Sequence, residues 1–116
     1  MTTAILMSLL MAFAQVESSN RNLAPYPDRN GMAFGFYGFH ESRWCEMGGD
    51  PAKFGNASRL EQDRVMVNAI NRYLKTKPAD VDALVWITTS HNAGHGHRTA
   101  SKYTEKIRKA IKERGL

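Results

Sequence analysis

A run of mostly apolar residues, "AILMSLLMAFA", lies near the start of the chain and predicts a helix over residues 3–17. Five of its apolar side chains recur at helical spacing on one broad face: Ile5, Leu6, Leu9, Leu10 and Phe13. The next stretch, "SSNRNLAPYPDRNG", holds two prolines and an Asn-Gly step at 30–31, which is typical of turns. Glu17 is therefore the carboxylate at the polar end of an apolar helix.

The stretch "GMAFGFYGFHESRW" combines aromatic residues with spaced glycines. Glycine disfavours a helix, so its first half predicts a loop, or a short pair of strands, that lines a cleft. A short helical turn over 40–47 is expected next, and "GGDP" ends it. Aromatic rings with small residues between them suit stacking on sugar rings, although at least half of these rings are expected in the core. The rings are those of Phe34, Phe36, Tyr37, Phe39 and Trp44.

The second half of the chain predicts further helices, so that the fold is mainly α with about five helices. Ser58 and Glu61 form a capping-box pattern before one helix, which ends at 75–78. Its apolar positions are Met66, Ala69, Ile70, Tyr73 and Leu74. Asp80 is the expected cap of a helix over 81–92, which "NAGHGH" interrupts. The last helix is expected from near Thr99 to Gly115. Its predicted core side chains are Tyr103, Ile107, Ala110 and Ile111, and its other face is basic.

The chain of 116 residues suits a single domain, and its net charge of +5 favours polyanionic partners. Cys45 is the only cysteine, so an intramolecular disulfide is excluded. Residues 4–14 are too short to span a bilayer. They resemble the core of a signal peptide, but "MTT" before them lacks a basic residue, and a cleaved signal is not favoured.

Glu17 and a histidine-rich turn are the main candidates for chemistry. Apolar neighbours disfavour an ionised carboxyl, so we expect Glu17 to have a raised pKa and to serve as a general acid; the alternative is a solvated residue at a helix end. His91, His95 and His97 have spacings that could bring imidazoles to a metal. The two glycines of this turn and its lack of a cysteine partner argue against it, so no metal is predicted.

Four motifs in order resemble the lysozyme-like superfamily, in its branch of soluble lytic transglycosylases and goose-type lysozymes. "AQVESSN" is similar to the segment in which a glutamate ends the first helix, and "GMAFGFYGFHESRW" to the loop that follows it. "TTSHNAGHG" is similar to the Asn-Ala-Gly turn, and "TASKYTEKI" to the closing helix. A further stretch, "WCEMGGDPAKFGNASRLEQDRVMVNAI", is similar to resuscitation-promoting factors.

This resemblance implies a small lysozyme-like domain over residues 1–116 that cleaves the β-1,4 bond between N-acetylmuramic acid and N-acetylglucosamine in peptidoglycan. It implies Glu17 as the catalytic acid and base, with Tyr103 orienting it, and no cofactor. The implied sugar contacts are Ser18, Phe36, Tyr37, His91 and Asn92. The family's loop glutamine falls at Gly38, and its tyrosine before Asn-Ala-Gly is His91 here.

The resemblance favours a lytic transglycosylase, which forms a 1,6-anhydro product, and three other functions stay open at this stage. A hydrolytic lysozyme needs a second carboxylate, for which Asp28 and Glu41 are the candidates. The second is a relic that binds peptidoglycan without cleaving it. The third, which we do not expect, is a small basic protein that binds nucleic acid or an anionic membrane. The setting that fits best is a phage lysin or a virion-associated protein, and a transglycosylase of a bacterial secretion system is the alternative. It would be a monomer made in the cytoplasm and would reach the periplasm or cell wall through a holin or with a virion, without membrane insertion.

Overall fold

The computed structural model describes residues 1–114, and these contain five α-helices and one three-stranded antiparallel sheet. The helices are α1 Thr3–Ser18, α2 Glu41–Glu46, α3 Arg59–Lys75, α4 Ala83–Ala93 and α5 Lys102–Glu113. The strands are β1 Tyr26–Asp28, β2 Gly31–Phe34 and β3 Phe39–His40, and a 3-10 turn spans Pro51–Lys53. The prediction of a mainly helical fold with about five helices is confirmed.

The chain forms two compact units, of which the first is Met1–Asn68 and the second begins at Ala69. The first unit holds α1, the sheet, α2 and the first part of α3, and the second holds α4 and α5. Within residues 1–114, no helix has both the length and the apolar character needed to cross a membrane.

Helix α1 begins at a capping threonine, because the Thr2 hydroxyl accepts the Ile5 N–H at 3.2 Å. Its buried part starts at Leu9 and includes Phe13, as the periodicity predicts. The prediction is wrong for Ile5, which is 53% exposed because it lies in the first turn, before the buried part begins. After Ser18, Ser19 takes a left-handed conformation at φ 55° and ends the helix.

The region predicted as turns and an aromatic loop is a small sheet. β1 pairs with β2 through a two-residue turn at 29–30, and the Asp28 carboxylate accepts the Asn30 N–H there at 2.8 Å. β2 pairs with β3 across the loop 35–38, which closes the second hairpin. The predicted short strand pair is therefore present, and β1 adds a strand inside the stretch expected to be turns only.

Aromatic side chains from the sheet and α2 fill the core of the first unit, as expected for at least half of them. The Phe34 and Trp44 rings meet edge to face with centroids 5.2 Å apart, and Phe39 meets Trp44 at 5.7 Å. The Trp44 indole N–H donates to the Asp50 carbonyl at 2.7 Å, so its polar atom is also satisfied. This packing gives the short strands a fixed position against α2.

Helix α3 begins where the capping pattern places it. The Ser58 hydroxyl accepts the Glu61 N–H at 3.2 Å and donates to the Glu61 carboxylate at 3.3 Å. Four of its predicted apolar positions are buried, whereas Leu74 is only partly buried: Met66, Ala69, Ile70 and Tyr73.

The predicted cap of α4 is wrong. Asp82 is the N-cap, and its carboxylate accepts the Val85 N–H at 3.1 Å. Asp80 lies two residues earlier, where its carboxylate forms an exposed ion pair with Arg98 at 2.8 Å. The two aspartates have equal cap propensity, and the start of the helix decides between them.

Helix α5 begins at Lys102, later than predicted, because Ser101 and Thr104 form a reciprocal capping box. Tyr103, Ile107 and Ala110 are buried as predicted, whereas Ile111 is only partly buried. The Thr104 hydroxyl also lies 2.7 Å from that of Thr88, so a buried hydrogen bond joins α5 to α4. The predicted end at Gly115 falls outside the described residues.

Candidate active site

The Glu17 carboxyl lies in the last turn of α1 and faces the backbone of Gly38. A β-carbon on Gly38 would stand 2.7 Å from Glu17 Oε2 and 3.4 Å from its Cδ. Gly38 also has φ 65°, in the left-handed region that favours glycine. Because only hydrogen occupies this position, the carboxyl can approach the chain and stay partly exposed.

The hydroxyl of Tyr26 lies beside the same position. It is 3.6 Å from the point where a β-carbon of Gly38 would be, so it and the Glu17 carboxyl both lie over this glycine, and the polar corner that Glu17, Tyr26 and Gly38 form is called here the Gly38 notch. Partial burial raises the pKa of the Tyr26 phenol, and the charges of Glu17 and Asp28 raise it further. The phenol is therefore neutral over the physiological range and can donate a hydrogen bond.

Asp28 and His40 form a pair at the edge of the sheet. His40 Nε2 lies 2.9 Å from both carboxylate oxygens of Asp28. The hydrogen bond from His40, followed by that from the Asn30 N–H, lowers the pKa of Asp28. An ionised carboxylate is thus held close enough to Tyr26 for its charge to act on the phenol.

Glu41, the other candidate for a second carboxylate, is exposed in the first turn of α2. The positive end of a helix dipole favours a carboxylate at such a position. Its location is therefore explained by the start of the helix, and Asp28 is the stronger candidate.

Ser18 holds the end of α1 against the loop 35–38. Its hydroxyl lies 3.0 Å from the Phe36 carbonyl and 3.0 Å from the Ala14 carbonyl, and it accepts the Arg21 N–H at 3.1 Å. The side chain is 4% exposed. The structure supports a role for Ser18 in fixing the end of α1, and its implied contact with sugar stays a prediction.

Gln62 fixes the other side of that loop from α3. Its fully buried side chain accepts the Phe36 N–H at 2.9 Å and donates to the Ala57 carbonyl at 2.9 Å and to Asn22 Oδ1 at 3.0 Å. A β-carbon on Gly35 would stand only 2.1 Å from Gln62 Oε1, so this glycine is needed for the contact. The loop that carries Gly38 is therefore anchored at Phe36, whose carbonyl contacts Ser18 and whose N–H donates to Gln62.

The two aromatic residues predicted to bind sugar have different environments. The Tyr37 ring has no exposed surface and its hydroxyl donates to Asp63 at 2.5 Å, which corrects its assignment as a sugar contact, since no ligand can reach a ring in the core. Phe36 is partly exposed, and the Arg59 guanidinium lies 3.9 Å from its ring centroid. Phe36 remains a candidate for stacking.

The remaining predicted residues belong to the second unit. His91 lies in the last turn of α4, and its Nδ1 is 3.1 Å from the Tyr73 hydroxyl. Asn92 is exposed in the same turn and is accessible to a ligand. Tyr103 is buried in the first turn of α5. Their expected roles in binding sugar and orienting Glu17 stay predictions.

Two contacts hold the backbone of the histidine turn against α4. The His97 N–H donates to the Thr89 hydroxyl at 2.9 Å, and Gly96 packs on the Trp86 ring. The His95 and His97 rings lie 4.6 Å apart between centroids. Over residues 1–114, no three side chains of His, Cys, Asp or Glu are grouped as metal ligands would be.

Tyr26, His40 and Gln62 were missed by sequence reasoning. Tyr26 lies between two prolines, a context that indicates a turn and carries no signal for a site. Gln62 falls inside the stretch that resembles resuscitation-promoting factors, and that resemblance could have drawn attention to it. His40 becomes relevant only when strand pairing brings it to Asp28.

Comparison of the chain with models of protein families, with curated proteins and with solved structures finds no match in any of the three.

Proposed function

We propose that the protein is a peptidoglycan-cleaving enzyme, a lytic transglycosylase in which Glu17 is the general acid and base. The observation that supports this most is the Glu17 carboxyl at the end of an apolar helix, bordering the Gly38 notch together with a neutral phenol. The resemblance of four sequence motifs to lysozyme-like enzymes supplies the substrate class.

In the proposed reaction Glu17 gives its proton to the oxygen of the β-1,4 bond as the bond to C1 of N-acetylmuramic acid breaks. The acetamido group of the substrate stabilises the positive charge that develops on the sugar. The C6 hydroxyl oxygen then bonds to C1 and returns its proton to Glu17. The products are a 1,6-anhydro sugar and a free hydroxyl end, and no water is consumed.

A hydrolytic lysozyme is the second candidate, and Asp28 is the observation that favours it. Its pKa is lowered, so that it is ionised at neutral pH, and its charge acts on the same phenol as that of Glu17. Hydrolysis by a retaining or inverting enzyme requires a second carboxylate beside the general acid, and Asp28 would supply it.

The biological setting that we propose is a phage lysin or a virion-associated protein that acts on the cell wall. The basic side chains of α5 support contact with an anionic wall, since positive charge speeds association with polyanions. The exposed ones are Lys102, Lys106, Arg108, Lys109 and Lys112.

The experiment is digestion of purified peptidoglycan by the wild type, by Glu17→Gln and by a control, Glu113→Gln, with mass spectrometry of the released fragments. Glu113 is an exposed carboxylate of α5 that lies 3.9 Å from Lys109, so the control removes the same charge elsewhere. We expect anhydro products from the wild type and the control, and none from Glu17→Gln, because an amide cannot donate the proton.

Three other results are informative. Products heavier by one water molecule would identify a hydrolase in place of a transglycosylase, and Asp28 would then be the next residue to substitute. Release by Glu17→Gln at the wild-type rate would refute the role of Glu17. Binding of peptidoglycan without release by the wild type would identify a non-catalytic binder.

A further inference from the structure

Tyr26 is held in place by strand pairing and by its neighbours in sequence. It is the first residue of β1 and pairs with Ala33 of β2, while prolines precede and follow it. Proline restricts its own φ and the conformation of the residue before it, so the backbone at Tyr26 has little freedom. The phenol is therefore presented from a fixed point and needs little ordering when a ligand arrives.

The Gly38 notch has a polar group on each of two sides and backbone below. Glu17 Oε2 lies 2.7 Å and the Tyr26 hydroxyl 3.6 Å from the position of a β-carbon on Gly38. A side chain at residue 38 would collide with the carboxyl. A ligand group that binds beside the Glu17 carboxyl therefore also lies close to the Tyr26 hydroxyl.

We propose that Tyr26 is a substrate-binding residue whose hydroxyl hydrogen-bonds the N-acetylated glycan next to the bond that Glu17 cleaves. The inference rests on the proposed function and adds a residue that the sequence motifs do not assign. A phenol both donates and accepts, which matches the hydroxyl and acetamido groups of such a sugar. Its raised pKa supports this role, because a neutral phenol keeps its proton for donation.

The test is the binding of a soluble tetramer of N-acetylglucosamine, measured by calorimetry on Glu17→Gln as the parent so that no cleavage occurs. Adding Tyr26→Phe removes one hydroxyl and keeps the ring. We expect binding to weaken between about twofold and tenfold, which is the effect of losing one neutral hydrogen bond. Adding Met32→Ala changes an exposed residue of the same hairpin, paired with Pro27, and should leave the affinity unchanged.

Ultraviolet titration of the parent distinguishes a ligand-binding tyrosine from a merely structural one, because only the first should change its pKa when sugar binds. Bound sugar should shift the Tyr26 phenol titration, and this component should be missing from the Tyr26→Phe variant. Equal affinity of the parent and Tyr26→Phe, with no shift on binding, would overturn the role of Tyr26 and leave the proposed function intact. Failure of the parent to bind the tetramer, together with no release of fragments by the wild type, would overturn both. Melting curves of each variant confirm that folded protein is compared.

Discussion

Substitution of Gly38 by alanine tests whether the Glu17 carboxyl depends on this glycine. The new β-carbon would stand 2.7 Å from Glu17 Oε2, closer than a nonbonded contact allows. The carboxyl is the mobile end of its side chain, so it can swing aside by several tenths of an ångström at little cost in stability. The displacement should instead reduce activity, because misplacing a reacting group by about 1 Å can cost about 100-fold in rate.

The loss of stability in Gly38→Ala should come mainly from the backbone. At φ 65° an alanine pays about 1–2 kcal/mol relative to glycine, which lowers the melting temperature of a chain of this size by roughly 4–10 °C. Gly31→Ala is the matched control. Gly31 also has a positive φ, 127°, but its β-carbon would meet only His40 Cδ2, at 3.9 Å.

The assay is release of fragments from purified peptidoglycan, expressed per folded molecule, with melting curves from circular dichroism. Both variants should lose stability, and Gly38→Ala alone should lose activity, by about 10- to 100-fold. If Gly38→Ala retained the activity of Gly31→Ala, the contact between Gly38 and Glu17 would have no functional meaning. If Gly38→Ala melted like the wild type, the argument from its backbone conformation would be refuted.

Three further predictions concern the supports of the site and the helix caps. Glu17→Gln should lower the pKa of Tyr26, measured by ultraviolet titration, because it removes a charge that raises it; an unchanged titration would contradict their proximity. Gln62→Met should lower the free energy of unfolding in urea by about 2–4 kcal/mol, since buried partners lose their hydrogen bonds; a loss under 1 kcal/mol would contradict this. Asp82→Ala should cost about 1 kcal/mol in thermal unfolding and Asp80→Ala almost nothing, and equal losses would reject the corrected cap.

The helices were predictable from the sequence because their signals are local. The core face of α3 follows from residues three and four apart, and Ser58 with Glu61 marks its start within one turn. The choice between Asp80 and Asp82 was not predictable, because both residues suit a cap. The helix begins at Ala83, two residues after the buried Val81, and this start makes Asp82 the residue that caps it.

The sheet was only partly predictable because its strands have two to four residues. Strands this short carry almost no periodic pattern, and they are stable here because Phe34 and Phe39 pack on Trp44. The aromatic content of the loop was visible, but which rings point to the core was not. Tyr37 is buried and its neighbour Phe36 is partly exposed, a difference that the anchored loop produces.

The Glu17 position was predicted from the apolar helix and the family resemblance, whereas its surroundings were not. In the sequence, Gly38 stands where the lysozyme-like enzymes that the chain resembles have a loop glutamine. In the folded chain the same glycine leaves room for the Glu17 carboxyl. Such a relation joins residues that are far apart in sequence, and no local pattern encodes it.

The side chain of Gln62 has a consequence for protein engineering. One amide joins the segment after α1, the loop 35–38 and the residue before the cap of α3, at Asn22, Phe36 and Ala57. A graft of α1 and the hairpins into another scaffold would therefore need a glutamine on a neighbouring helix, placed so that its amide makes the same three hydrogen bonds. The transferable part is not a continuous peptide but a peptide together with one amide, and libraries that vary the loop should keep position 62 fixed.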